Sequence, residues 1–237
     1  MKLSLVIPCY NEAQNLPALI ARCRVLTQDP DIEVVLVDNG SKDETPAILA
    51  KELDGISGCR SVRVDVNQGY GFGILSGLRA ATGDVLAWTH ADQQTDPADA
   101  IAAFDFFRAT AEPERLFVKG RRFGRPLADT VFTAGMSMFE TLLTGRAMRD
   151  INAQPTMFHR TMFERWRSPP ADFALDLYAY WQAKDDGLAV KRFPVRFGKR
   201  LYGASNWNTG ISGRWKFIRR TVEFSLRLKK GGQDLAS

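Results

Sequence analysis

A chain of 237 residues, with 45% hydrophobic and 25% charged side chains, has the composition of a soluble globular protein and is long enough for one sizeable α/β core. Its formal charge of +5 is too modest to point to nucleic acid, although the basic residues gather after position 114. Cys9, Cys23 and Cys59 form no CxxC pair, which argues against a disulfide framework or a zinc ribbon. No apolar run approaches the ~18 residues of a membrane span, and the apolar part of residues 1–8 is too short for a signal peptide.

Leu3 to Ile7, ended by Pro8, reads as a strand buried on both faces. Asn11 is then expected to cap a helix carrying Leu16, Leu19, Ile20 and Cys23. Ile32–Val37 is a second strand, followed by a helix with Ile48, Leu49 and Leu53 on its apolar face and Ser41 or Asp43 as its cap. Val62–Val66 and Val85–Thr89 are the next strands, separated by a helix over Gly69–Leu78 that opens from a glycine-rich turn. Ala98–Thr110 reads as a helix, Leu116–Lys119 as a strand and Leu127–Thr144 as a long helix interrupted by Gly135. Phe173–Lys184 has helical spacing and Ala189–Val195 a strand pattern. Ile211–Lys230 sets Trp215, Ile218, Val222 and Leu226 against seven basic residues; a basic amphipathic helix on an anionic membrane and a docked terminal helix are both open.

Alternating strands and helices predict a mainly parallel sheet covered by helices on both faces. In such sheets ligands bind beyond the carboxyl ends of the strands. That rule singles out Pro8–Glu12, Asp38–Asp43, Asn67–Gly73 and His90–Gln94, all polar or glycine-rich. A dinucleotide-dependent oxidoreductase is disfavoured, since no GxGxxG follows the first strand.

Val6-Ile7-Pro8-Cys9-Tyr10-Asn11-Glu12, Asp38-Asn39-Gly40-Ser41-Lys42-Asp43-Glu44-Thr45, Asn67-Gln68-Gly69-Tyr70-Gly71 and Ala81-Thr82-Gly83-Asp84 resemble, in order, the motifs of family 2 glycosyltransferases of GT-A fold, especially the polyprenyl-phosphate mannosyltransferase-like members. The resemblance covers the first 100 residues or so. It implies a nucleoside-diphosphate sugar donor, with Asp38 on the base and Pro8, Tyr10 and Glu12 around base and ribose. Gly69 and Gly71 either let the backbone approach a ligand or serve a tight turn. The segment His90-Ala91-Asp92-Gln93-Gln94 stands where the family has D-x-D, so the resemblance implies a divalent cation, Mg²⁺ or Mn²⁺, on Asp92 with Gln94 in support. His90 replaces the first aspartate; it reads as a metal ligand, a donor to the diphosphate, or a structural residue.

Arg121 and Arg122 are candidates for a diphosphate or an acceptor phosphate, with a solvated basic loop as the alternative. Asp150 reads as orienting a sugar or capping a turn. Asp172 and Asp176 have the spacing of one helix face, and Asp176 is the candidate base should the acceptor be a hydroxyl; a phosphate acceptor needs none. The run from Arg196 to Asn206 resembles the family's R-x-x-G-x-S-K segment, with Lys199, Arg200 and Ser205 as phosphate-side residues. The expected arrangement is a single domain over 1–237: a nucleotide-sugar half at 1–100, an acceptor half at 101–210 and the basic segment at 211–230. The resemblance implies inverting hexosyl transfer to polyprenyl phosphate by a cytoplasmic enzyme that is peripheral at the inner membrane face. The alternatives are transfer to a soluble hydroxyl acceptor, or a catalytically weak nucleotide-sugar-binding module.

Overall fold

The first two strands are unbroken runs of β-branched and apolar residues, the pattern of strands covered on both sides. In the computed structural model, which describes residues 1–198, 200, 202, 219 and 222–226, they are β1 (Leu3–Cys9) and β2 (Ile32–Asn39), and every residue of β2 is buried. With β3 (Cys59–Val64), β4 (Val85–Trp88), β5 (Leu116–Phe123), β6 (Thr156–His159) and β7 (Ala189–Arg196) they form a sheet in the order β3-β2-β1-β4-β6-β5-β7. All neighbouring pairs are parallel except those made by β6, which is antiparallel to both β4 and β5. This is the α/β, GT-A arrangement that the motifs imply.

Two cores lie on the two faces. Helices α1 (Leu16–Leu26), α2 (Thr45–Glu52) and α4 (Asp99–Arg108) cover one through Leu19, Cys23, Leu49, Phe104 and Phe107. Helices α3 (Tyr70–Ala80), α6 (Arg160–Glu164) and α7 (Leu175–Asp185) cover the other through Ile74, Leu78, Met162, Leu175 and Tyr178. Gly77 allows α3 to lie close on the sheet, since a Cβ there would stand 2.3 Å from Val6 and 2.8 Å from Val37. The three cysteines are buried and free.

Several local expectations are corrected. Asn11 caps no helix: α1 starts at Leu16 beside Pro17, while Asn11 takes a left-handed φ of 54° and its side-chain oxygen accepts the Lys42 amide. Of the two caps expected for α2, Asp43 is the one that accepts the Thr45 amide at its start. β3 begins at Cys59 and ends at Val64, so Val66 lies outside it. β5 runs to Phe123, because β7 pairs with it along its whole length; Arg121 and Arg122 are therefore strand residues, not a loop. Helix α5 (Leu127–Thr144) passes through Gly135 unbroken, and a Cβ there would meet nothing. β6 was not expected at all. Its four residues are too few to show a period, and Pro155 precedes them.

Leu127, Val131, Met138 and Leu142 share one narrow face of α5, because their spacings of 4, 7 and 4 return to the same side of a helix. All four are exposed, by 63% or more, with Phe132 and Phe139 beside them. Of the basic segment expected at 211–230, the described residues 219 and 222–226 are helical, with Arg219 exposed and Phe224 and Ser225 buried; the rest of that expectation lies outside the described residues.

Candidate active site

The loops after β1 and β2 are stitched together by four bonds. The Asn11 amide donates to Ser41 Oγ (3.0 Å), Lys42 N to Asn11 Oδ1 (2.9 Å), Glu12 N to Thr45 Oγ1 (2.9 Å) and Ala13 N to Asp43 (3.2 Å). Gly40, at φ 72°, allows the turn; a Cβ there would stand 2.5 Å from the Asn67 amide nitrogen. Asp38 sits beneath, 2% exposed, with one oxygen accepting from Ser41 N at 2.9 Å. Its other oxygen has no hydrogen-bond partner, and the nearest cation, Arg63, stands 3.7 Å away and is largely solvated. A buried carboxylate oxygen left unpaired costs free energy unless a ligand donates to it. Pro8 pairs with Val37 in the sheet, and Pro8, Tyr10 and Glu12 are all half-buried along this edge. Burial pushes the Glu12 carboxyl up, helped by the negative charge of Asp92, while Asn15 and Arg200 oppose the shift.

Beyond β4 the chain turns sharply, with Gln93 at φ 58°. Asp92 is 6% exposed; one oxygen accepts from Gln94 N at 3.1 Å and the other holds the Arg200 guanidinium at 2.6 Å. The Gln94 side chain donates to Gly198 O (3.1 Å) and Gly198 N donates to the Gln94 carbonyl (2.7 Å), so the segment after β7 is clasped to this turn. His90 stacks on Tyr70 with centroids 5.6 Å apart, and Tyr70 stacks on Phe173 at 4.8 Å.

Asp176 is placed differently from expectation. α7 begins at Leu175, so Asp172 precedes the helix and accepts the Ala174 amide instead of sharing a face with Asp176. Asp176 is 2% exposed and is reached by four donors: Gln154 Nε2 (2.8 Å), Tyr70 OH (3.2 Å), Trp88 Nε1 (3.3 Å) and Lys119 Nζ (3.5 Å). Burial lowers the Lys119 pKa to about 8 against the opposing pull of Asp176, and burial raises Tyr70 well above the usual phenol value. Sequence reasoning missed Lys119, Tyr70 and Gln154. No residue pattern singled them out: Lys119 merely closes the apolar run Leu116–Val118, next to Arg121 and Arg122.

Asp150, at φ 45°, forms an arginine cluster. It accepts from the Arg122 amide (2.9 Å) and from two guanidinium nitrogens of Arg122, with Arg125 and Arg192 within 4 Å. Burial opposes its ionisation, but the Arg122 hydrogen bonds and charge outweigh that and keep its pKa below the ordinary carboxylate range. Arg122 and Arg125 also face the Phe197 ring, at 5.2 and 5.6 Å. A small cavity of about 60 Å³ opens beside Arg122, walled by Phe132, Met136, Ile151, Phe173 and Leu177. Arg121 is exposed. Lys199 and Ser205 lie outside the described residues.

A Cβ on Gly69 would stand 2.5 Å from Ala171 O, and one on Gly71 2.6 Å from the carbonyls of Pro170 and Asp172. Their missing side chains make room for backbone 170–172.

For a divalent cation the donor set is sparse. Among the described residues no three His, Cys, Asp or Glu side chains converge. One buried carboxylate beside a histidine fits a hard cation that takes most of its oxygens from substrate phosphates. It does not fit a closed structural metal centre.

A doubly covered sheet of this strand order, with a buried carboxylate at the end of β2 and a carboxylate turn after β4, is the arrangement of a GT-A glycosyltransferase. The profile of "Glycosyl transferase family 2" matches residues 4–167, and the chain belongs to that family. An undecaprenyl-phosphate 4-deoxy-4-formamido-L-arabinose transferase from Yersinia pestis (strain Pestoides F) is 39% identical over 101 residues, 40% of this chain and 30% of that protein. Its counterpart from Enterobacter sp. (strain 638) is 39% identical over 102 residues, with the same coverage. The aligned part thus spans under a third of these curated relatives. Among solved structures, glucosyl-3-phosphoglycerate synthase from Mycobacterium tuberculosis superposes with a TM-score of 0.73 at 19% identity, covering 97% of this chain and 80% of that one, in a complex with Mn²⁺, UDP and glucosyl-3-phosphoglycerate. A complex of the same enzyme with Mn²⁺, UDP-glucose and phosphoglyceric acid gives 0.74 at 18% identity.

Proposed function

We propose that the protein transfers a hexose from a nucleoside-diphosphate sugar to a polyprenyl phosphate at a membrane surface, inverting the anomeric centre. The observation that carries the donor half is the buried Asp38 oxygen that has no hydrogen-bond partner, an acceptor that suits the N–H of a nucleotide base. Asp92 would hold a Mg²⁺ or Mn²⁺ ion with His90 and Gln94 beside it; when bound, the ion would neutralise charge growing on the diphosphate. The acceptor oxygen forms its bond to the anomeric carbon as the bond to the diphosphate oxygen breaks, and the diphosphate leaves with the electron pair. Arg200, with Lys199, Arg121 and Ser205, would complement the phosphates, while Pro8, Tyr10 and Glu12 flank base and ribose.

Two features favour a phosphate acceptor on a lipid. Asp176 is enclosed by four donors and so is poorly suited to take a proton from a sugar hydroxyl, whereas a phosphate oxygen is already anionic and needs no base. The apolar face of α5 runs for about 22 Å from Leu127 to Leu142 and stands exposed, a form that suits the interfacial region of a bilayer. The Asp150–Arg122 pair, beside the apolar cavity, would orient the acceptor head. No helix among the described residues is long and apolar enough to cross a membrane; the exposed face of α5 would instead rest on the membrane surface.

The test is incubation with radiolabelled UDP-, GDP- and dTDP-hexoses, Mn²⁺ or Mg²⁺, and undecaprenyl phosphate in anionic vesicles. Label is expected in the organic phase, and Leu142→Glu should lower vesicle binding several-fold while leaving nucleotide binding intact. Label recovered only in water-soluble glycosides would overturn the lipid acceptor in favour of a soluble hydroxyl. Nucleotide-sugar binding without turnover under any condition would favour a binding module.

A further inference from the structure

Asp92 is not a vacant carboxylate. Its Oδ2 carries the Arg200 guanidinium at 2.6 Å, in a pair whose side chains are 8% and 25% exposed. Asp92 Oδ1 already accepts from the Gln94 amide, and Oδ2 is the oxygen that carries the cationic partner. The segment bearing Arg200 is held to the same turn by the two Gln94–Gly198 bonds, which deliver the guanidinium to Asp92 and not into solvent. Glu12, whose carboxyl feels both Asp92 and Arg200, adds a second negative charge around the same point.

We infer that Arg200 is the resting counter-cation of Asp92 and competes with the divalent ion for Oδ2. This rests on the proposed cation site at Asp92. Metal entry then requires the guanidinium to let go, and the freed positive charge becomes available to the incoming diphosphate. The exchange is charge-conserving at the turn: a carboxylate is never left bare in a low-dielectric pocket, where an unpaired charge is costly. Apparent metal affinity is reduced by the fraction of molecules in which the ion pair is closed. A charge-assisted bond of this geometry keeps that pair closed in roughly nine molecules of ten, so removing it should tighten metal binding about ten-fold.

The experiment is titration of the nucleotide-free protein with Mn²⁺ alone, read by electron paramagnetic resonance of the free ion, for wild type, Arg200→Ala, Arg200→Lys and Asp92→Asn. Arg200→Ala is expected to bind Mn²⁺ about ten-fold more tightly than wild type, and Asp92→Asn to lose binding. By reciprocity, Mn²⁺ should speed hydrogen exchange at the Gly198 amide in wild type, whereas in Arg200→Ala exchange should already be fast and indifferent to Mn²⁺. Equal or weaker Mn²⁺ binding in Arg200→Ala overturns competition. Tighter binding with no change in Gly198 exchange also overturns it, because simple removal of a nearby positive charge would then suffice. Failure of every form to bind Mn²⁺, with UDP present as well as absent, would instead sink the cation site itself.

Discussion

Lys119 provides a quantitative check on the network that holds Asp176. Its ammonium is fully buried in β5, and its pKa falls from the model-compound value of 10.5 to about 8. Folding therefore carries a cost that is fully present below pH 8, where native and unfolded chains both hold the proton. Between pH 8 and about 10.5 the unfolded chain stays protonated while the native state does not, so stability gains with rising pH across that window. A difference of about 2.5 pKa units at 1.36 kcal/mol each gives about 3 kcal/mol. Other groups pull the opposite way at the alkaline end. The Cys9 thiol and the Tyr70 hydroxyl are both raised by burial, so the native state retains protons that the unfolded chain loses. Lys119→Met keeps those groups and removes the amine, so the difference between the two proteins isolates Lys119. Urea unfolding at half-unit steps from pH 7.5 to 10.5 should show the wild type gaining about 3 kcal/mol relative to Lys119→Met. A difference curve flat to within about 0.5 kcal/mol would refute a charged, desolvated lysine at this position.

Asp38→Asn exchanges the unpaired carboxylate oxygen for an amide while keeping an acceptor for Ser41 N; the loss of a charged hydrogen bond of about 1.5–3 kcal/mol should weaken UDP binding at least ten-fold by calorimetry. An unchanged Kd would remove Asp38 from base recognition. Gly120→Ala would place a Cβ 2.1 Å from the Gln154 carbonyl oxygen, forcing β5 and the turn before β6 apart. It should cost about 1–3 kcal/mol in urea unfolding, and a neutral result would mean that this turn yields freely.

The carboxyl-end rule located Asp38 and Asp92 from sequence, since both follow strands that an apolar run makes visible. It failed after residue 100 for a topological reason. β6 runs against its neighbours, so it brings its entry, not its exit, to the site edge, and Asp150 and Gln154 arrive before a strand that has no periodic signature. Lys119 was invisible for a related reason: a buried amine is recognisable only once its carboxylate partner, 57 residues away, is in place. The glycines of Asn67–Gly71 were legible as a tight passage, but what passes there, backbone 170–172, is a long-range fact. The Arg200 pair spans 108 residues and could be anticipated only as a cation near phosphates.

The ring stack of His90, Tyr70 and Phe173 bears on whether the chain can be divided. Tyr70 comes from the half that carries the nucleotide motifs, yet one of its faces rests on Phe173 and its hydroxyl on Asp176, both from the other half. A fragment ending near residue 100 would keep the four strand-end motifs and lose Phe173 and Asp176, which hold the Tyr70 ring on which His90 stacks. The first 100 residues are thus not a transplantable cassette: grafted elsewhere without a counterpart to residues 170–176, they would carry the signature of the family and a loosened Tyr70–His90 stack.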